Sequence, residues 1–266
     1  MASLVVLHAH PDDESIQTGG TMAKAAAAGH RVTLVVATRG EHGEVVPGVL
    51  DDGEPLGLRR IAETYRSAEL LGAQRVEFLG YVDSGMMGEP TNDERACFWQ
   101  ADVEHAARRL ALILEEEEAD VLTYYDENGG YGHPDHIKVH RVGRRAGELA
   151  GTPRRYMATM NRDFIVELIR ARLASGDLDL GDAGSPEIDE ENFGQPGSRI
   201  THQIDVTEHV AAKRASMRAH ASQIADDHFF LALPDEAFGV SFGQEWFIDD
   251  SNGATGGEPY AHDLFT

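Results

Sequence analysis

The stretch LVVLHAHPDDES, residues 4–15, decides the fold. Its first half is a short, unbroken apolar run, and its second half is a knot of His and acidic side chains around a proline. An unbroken Leu/Val run fits a strand buried on both faces, as in a parallel sheet covered by helices. Residues 20–28 (GTMAKAAAA) then read as an Ala-rich helix ended by Gly29, and RVTLVVA at 31–37 reads as a second buried strand. The alternation continues along the chain. Residues 56–71 have helical spacing and stop at Gly72, and 76–79 form a short strand. A helix follows at 102–118, with an EEEE end that is unfavourable near a helix C-terminus. VLTYY at 121–125 is a strand, and 134–150 is a helix with Pro134 suited to its first turn. Residues 156–160 read as a fifth strand and 164–174 as a further helix.

Strands alternating with helices predict an α/β fold: a Rossmann-like, mostly parallel sheet with helices on both faces, three layers in all, plus a smaller C-terminal subregion. In that subregion, 175–198 reads as a long Gly-, Asp- and Pro-rich loop, 201–206 (THQIDV) as a late strand, 206–224 as a helix, and the tail after Asp249 as flexible. The chain of 266 residues reads as a single domain, 1–160 forming the core with the site and 161–266 completing the pocket.

Apolar (41%) and charged (26%) contents are those of a soluble globular protein. The 46 acidic residues against 23 basic ones give a formal charge of −23. Phosphate backbones need clustered Lys and Arg, so nucleic acid is not an expected partner. The scarcity of lysine (Lys24, Lys138 and Lys213) beside many arginines fits a high-GC genome, with salt adaptation the sharper alternative. The first apolar run lacks a basic leader and ends in charged residues, so it is expected to be a strand rather than a signal peptide. No run is long and apolar enough to span a membrane. A cytoplasmic protein acting on a small molecule is expected, with no membrane partner; a homo-oligomer is compatible with helix-rich surfaces. The single cysteine, Cys97, rules out an intrachain disulfide and a Cys-based zinc cluster. A metal must be held by His and carboxylates.

The informative feature is where those groups fall. His10, Asp12, Asp13 and Glu14 directly follow the first strand; His133, Asp135 and His136 follow the VLTYY strand beyond a Gly-rich turn. Ligands of open parallel sheets bind outside the carboxyl ends of the strands, where the strand order switches. If the two strands are neighbours, HPDD and HPDH meet in one pocket. Two imidazoles and one carboxylate suit a hydrolytic zinc ion with an open position for water. A further carboxylate can take the water's proton, and a further imidazole can stabilise an oxyanion. The residues alone do not tell Asp12 from Asp13, or His133 from His136.

AHPDDES (9–15) and GHPDH (132–136) resemble the two motifs of the family of N-acetylglucosaminyl-phosphatidylinositol deacetylases and LmbE-like proteins. YDENGGYGHPDH (125–136), GEHGEV (40–45), RIAE (60–63), DSGM (83–86) and AHASQ (219–223) are similar to its mycothiol-pathway branch. The resemblance implies His10, Asp13 and His136 as metal ligands and Asp12 as the general base. It implies His133 as oxyanion stabiliser or general acid, Asp135 as the carboxylate that orients an imidazole, and Tyr131 as an oxyanion donor from a mobile loop. Arg60, Asp83, Glu44 and Met86 match substrate-binding positions. The implied cofactor is Zn2+, although the same donors accept iron(II) or another divalent transition metal. The implied activity is N-deacetylation of a GlcNAc-inositol-like sugar to free amine and acetate. Alternatives are a mycothiol S-conjugate amidase, a deacetylase of a secondary-metabolite amino sugar, and a non-catalytic sugar-binding protein. The amidase usually carries a lysine soon after the first motif and a proline before the second; here Ile16-Gln17-Thr18 and Gly132 stand there.

Plainer expectations stand beside these. Asp12 and Asp135 can serve as helix N-cap groups, Asp83 as a turn former, and Arg60 as one half of a surface salt bridge. His8 points to the other face from His10 by strand alternation. His140 is expected to pack, and His220 either lines the pocket or bonds the neighbouring helix.

Overall fold

The apolar run after Ala2 forms strand β1 (Ser3–His8), and all six of its residues are buried. Val5 and Leu7 enter one apolar cluster, Leu4 and Val6 the other. This two-sided burial is what an unbroken Val/Leu strand requires, and it sets the layers. The computed structural model describes residues 1–175, 193–251, 253 and 255–266.

Further strands are β2 (Arg31–Val36), β3 (Arg75–Phe78), β4 (Val121–Tyr125), β5 (Arg154–Thr159), β6 (His202–Asp205) and β7 (Gln244–Asp249). They form one sheet in the order β3-β2-β1-β4-β5-β7-β6. The first five are parallel; β7 runs antiparallel to both β5 and β6. The helices are α1 (Asp13–Gln17), α2 (Gly19–Ala27), α3 (Leu56–Leu70), α4 (Val103–Glu116), α5 (Pro134–Ala150), α6 (Arg162–Ser175), α7 (Val210–Ala219) and α8 (Asp235–Phe242). Leu110 and Leu114 of α4 and Val139 and Val142 of α5 fill the cluster on one face. Met22 of α2 and Ala68 of α3 fill the other.

The predicted α/β sheet with helices on both faces is observed. The C-terminal part adds β7 and β6 to the edge of the same sheet, beyond β5. β7 and α8 have no counterpart in the sequence reading. The helix expected over 206–224 is confined to Val210–Ala219 and ends in turns. The tail expected to be flexible returns along β6: Gln203 N–H donates to the Ala261 carbonyl and Ala261 N–H to that of Thr201, each at 2.9 Å. Leu264 is buried, and Phe265 stacks on His30 with centroids 4.0 Å apart. Most of the predicted 175–198 loop lies outside the described residues.

The acidic end of α4 has a local cause. Glu117 lies 2.9 Å from Arg75 Nη1 and 2.7 Å from Arg31 Nε, and Glu116 lies 2.8 Å from Arg75. Two arginines from the start of β2 and β3 thus offset the unfavourable helix-end charge.

Candidate active site

β1 pairs with β4, and the chain leaves β1 toward β2 on one side while β4 leads to β5 on the other. The crevice at this switch point receives the loop after β1 and the loop after β4, so HPDD and HPDH converge.

Three imidazoles share this crevice. His10 and His133 have ring centroids 4.6 Å apart, and His133 and His136 5.1 Å. Donor nitrogens of all three lie within 4.8 Å of one another. Each ring has one nitrogen already committed. His10 Nε2 faces Asp135 Oδ2 at 3.2 Å and Asp83 Oδ1 at 3.4 Å. His136 Nδ1 donates to the Gly129 carbonyl at 3.1 Å. His133 caps α5, its Nδ1 accepting the Asp135 N–H at 3.1 Å, which leaves Nε2 to carry the ring proton. The free nitrogens of His10 and His136 turn to one carboxylate: Asp13 Oδ2 lies 3.4 Å from His10 Nδ1 and 3.4 Å from His136 Nε2.

This donor set fits a divalent cation. His10, Asp13 and His136 are buried, and their free donors converge. Each imidazole is oriented from behind by an oxygen, the usual arrangement of a metal-binding histidine. The charges agree. Burial alone would lower the pKa of His10, but Asp13, Asp135 and Asp83 outweigh it and raise it well above the ordinary value. Burial pushes the Asp13 carboxyl up, yet His136 and His10 hold it well below the usual range. A second donor group, His10, Asp83 and Asp135, meets the same distance limit. There, however, both carboxylates face the Nε2 side of His10 and also accept backbone N–H groups.

Asp12 differs from its neighbour. It has φ +95°, a region that non-glycine residues rarely occupy. Its carboxylate receives Arg60 Nη2 at 3.2 Å, and it makes no side-chain cap to α1. Burial raises its pKa, against the pull of Arg60. Arg60 is not on the surface: it is 3% exposed and donates also to the carbonyls of Gly40 and Pro11. Burial, with His10 and His136 beside it, lowers the pKa of His133 to about 3, so the ring is neutral.

Tyr131 is half exposed in the Gly-rich loop, its hydroxyl 3.5 Å from His136 Nε2. Burial of its hydroxyl, with Asp13 nearby, raises its pKa. Asp83 accepts the N–H groups of His42 and Gly85. Glu44 and Met86 are exposed on the loops after β2 and β3. His8 is buried between Tyr125 and Thr18, and His140 bonds the Tyr125 carbonyl, so both pack as expected.

Sequence reasoning missed Ser84, whose N–H and hydroxyl both donate to Asp135. It also missed Asp126, which accepts the N–H groups of Asn128 and Gly130 and so shapes the loop carrying Tyr131. The signal for Ser84 was the DSG triplet, read only for its aspartate. It named Glu14 without a task; that residue is fully buried against His220.

The family model described as PIG-L, GlcNAc-PI de-N-acetylase, matches residues 5–147. The 1D-myo-inositol 2-acetamido-2-deoxy-alpha-D-glucopyranoside deacetylase of Acidothermus cellulolyticus is 44% identical over 257 residues, covering 92% of this chain and 88% of that protein. The protein of the same description from Nocardiopsis dassonvillei is 45% identical over 251 residues, covering 87% and 88%. Among solved structures, the N,N'-diacetylchitobiose deacetylase of Pyrococcus horikoshii has a TM-score of 0.57 at 21% identity, covering 93% of this chain and 83% of that one. The 4-carboxy-2-hydroxymuconate hydratase of Pseudomonas putida has 0.61 at 18%, covering 96% and 98%. At such identities the likeness concerns the fold, and a fold hosts more than one chemistry.

Proposed function

The chain belongs to the GlcNAc-PI de-N-acetylase family, and from that membership and the crevice geometry we propose a divalent-metal-dependent N-deacetylase. Its substrate is 1D-myo-inositol 2-acetamido-2-deoxy-alpha-D-glucopyranoside, cleaved to free amine and acetate, and its metal is zinc. One observation carries the reading. Two adjacent aspartates are turned to different tasks, Asp13 between two metal-competent imidazoles and Asp12 beside them on Arg60.

His10, Asp13 and His136 would hold the metal, which supplies positive charge to acidify a water and polarise the amide carbonyl. Asp12 takes the proton of the attacking water, and its raised pKa makes it a better base. His133 presents Nε2–H to the carbonyl oxygen as that oxygen gains charge, and Tyr131 offers its hydroxyl to the same atom. The carbon–nitrogen bond then breaks as the proton that Asp12 took from the water passes to the departing amine, while His133 keeps its Nε2–H on the oxygen. Asp135, fixed by Ser84, holds the His10 ring in place. Arg60 and Asp83 frame the sugar side, Arg60 by holding the base. Glu44 and Met86 meet the far part of the substrate from their exposed loops. Among the described residues no helix is long and apolar enough to cross a membrane, and we place the reaction in the cytoplasm.

The test is acetate release by purified, zinc-loaded protein. Asp12→Ala should lower kcat by about 10²–10⁴-fold, the usual worth of a general base, while zinc stays bound. A protein that binds zinc and the sugar but never hydrolyses it is a binding protein. Faster turnover of a mycothiol S-conjugate than of the acetylated sugar would identify the amidase.

A further inference from the structure

Behind the crevice lies a buried cluster that the proposed chemistry does not use. The Glu14 carboxylate and the His220 ring are both 0% exposed. Glu14 Oε1 accepts from His220 Nε2 at 2.6 Å, Ser67 Oγ at 2.5 Å and Ser15 Oγ at 3.1 Å. His220 ends α7 and Ser67 lies on α3, so this one oxygen ties α1 to two other helices. The His220 Nδ1 atom is buried with no hydrogen-bond partner among the described residues. A ring left half satisfied in the interior is costly, and its contact with Glu14 is what holds it there.

The other oxygen turns to the backbone of Asp12. Glu14 Oε2 accepts the Asp12 backbone N–H at 3.0 Å. Asp12 is one of two non-glycine residues with positive φ among the described residues. Such a backbone persists only where its surroundings over-determine it. Arg60 grips the Pro11 carbonyl and the Asp12 carboxylate, and Glu14 grips the amide between them.

We propose that Glu14, anchored by His220 and Ser67, is a positioning residue that locks the Asp12 backbone in its positive-φ conformation and so aims the Asp12 carboxylate at the attacking water. The inference rests on the reading of Asp12 as the base. Without the Glu14 acceptor the Pro11–Asp12 peptide rotates toward negative φ and the carboxylate swings with it. A misplacement of about 1 Å at a reacting group costs on the order of 10²-fold in rate.

The experiment compares Glu14→Ala, Glu14→Gln and Ser67→Ala with Asp12→Ala, all zinc-loaded, on the acetylated GlcNAc-inositol substrate. Glu14→Ala should lower kcat by about 10²-fold with KM within about twofold and zinc content unchanged. Glu14→Gln retains an acceptor for the Asp12 N–H and should recover most of kcat, although it loses the charge paired with His220. Ser67→Ala removes a single bond to Glu14. It stays folded if Glu14→Ala does not, and it should lower kcat by a few-fold at unchanged KM. A crystal structure of Glu14→Ala, or of Ser67→Ala in its stead, should show Asp12 relaxed from φ +95° or spread over two conformers.

Full kcat in folded Glu14→Ala and in Ser67→Ala, or φ of Asp12 unchanged in the variant structure, overturns the inference. So does a Glu14→Gln as slow as Glu14→Ala, which would assign Glu14 to charge pairing alone. If Asp12→Ala itself retains turnover, the base reading fails first; if Asp12→Ala is inactive while the Glu14 variants are not, only the positioning inference fails.

Discussion

A methyl group added at Gly129 would lie 2.3 Å from Cβ of His136 and 2.7 Å from its carbonyl carbon. Both are contacts that backbone must move to relieve. Gly129 also has φ +64°, where a side chain costs about 1–2 kcal/mol. Its carbonyl fixes the His136 tautomer, so the glycine shapes a metal ligand without touching the metal. Gly129→Ala should therefore fold but bind zinc about 10–100-fold more weakly, the usual cost of losing an outer partner of a metal-binding histidine. Competition with a chromophoric chelator measures this; unchanged zinc affinity would mean that the loop absorbs the methyl. The HPD triplets are legible as a site because two of them follow apolar strands. Which nitrogen each ring turns inward is not legible, since Gly129, Asp135 and the cap on α5 decide it through folding. The same holds for Asp12 and Asp13: sequence shows two equivalent carboxylates, and only the backbone at φ +95° separates them.

At the scale of elements, one carboxylate joins three of them. Helix α2 has no side-chain cap of its own at Thr18. Its first N–H groups are met from β7: Glu245 accepts Gly20 N–H and Thr21 N–H, each at 2.8 Å, and Lys213 of α7 reaches the same carboxylate at 2.6 Å. Lys213 and Glu245 are 1% and 2% exposed. Removing one partner of such a pair strands a buried charge, a loss of about 3–5 kcal/mol. Glu245→Ala should lose about that much in urea unfolding. Adding Lys213→Met should restore part of it by removing the stranded ammonium, but not all, because the α2 N–H groups remain unmet. If the double variant is no more stable than Glu245→Ala, the pair is not what joins the elements. This bond also explains why β7 escaped sequence reading. The strand QEWFID opens on two polar residues, and its glutamate is not a surface residue but the cap of a helix 224 residues earlier. By contrast β1, β2 and β4 announce themselves, because burial on both faces leaves an unbroken apolar run.

For the whole molecule the largest physical quantity is charge. An excess of 23 negative charges opposes compaction by self-repulsion. Against it stand short-range pairs such as Arg75 with Glu116 and Glu117, which also weaken in salt. The two effects have opposite signs, and range decides between them. The pairs act over about 3 Å, which partial burial of Glu117 shields, whereas the excess acts between acids many ångströms apart. The Debye length falls from about 10 Å at 0.1 M salt to about 3 Å at 1 M, so added salt removes the long-range repulsion before it reaches the close pairs. Raising NaCl from about 0.1 to 1 M should therefore raise Tm by several degrees. KCl should act alike, since screening depends on ionic strength and not on a cation site. The measurement is thermal unfolding of the zinc-loaded protein across that range. A falling Tm would show that local ion pairs outweigh the net charge, and a rise with one cation alone would point to specific binding.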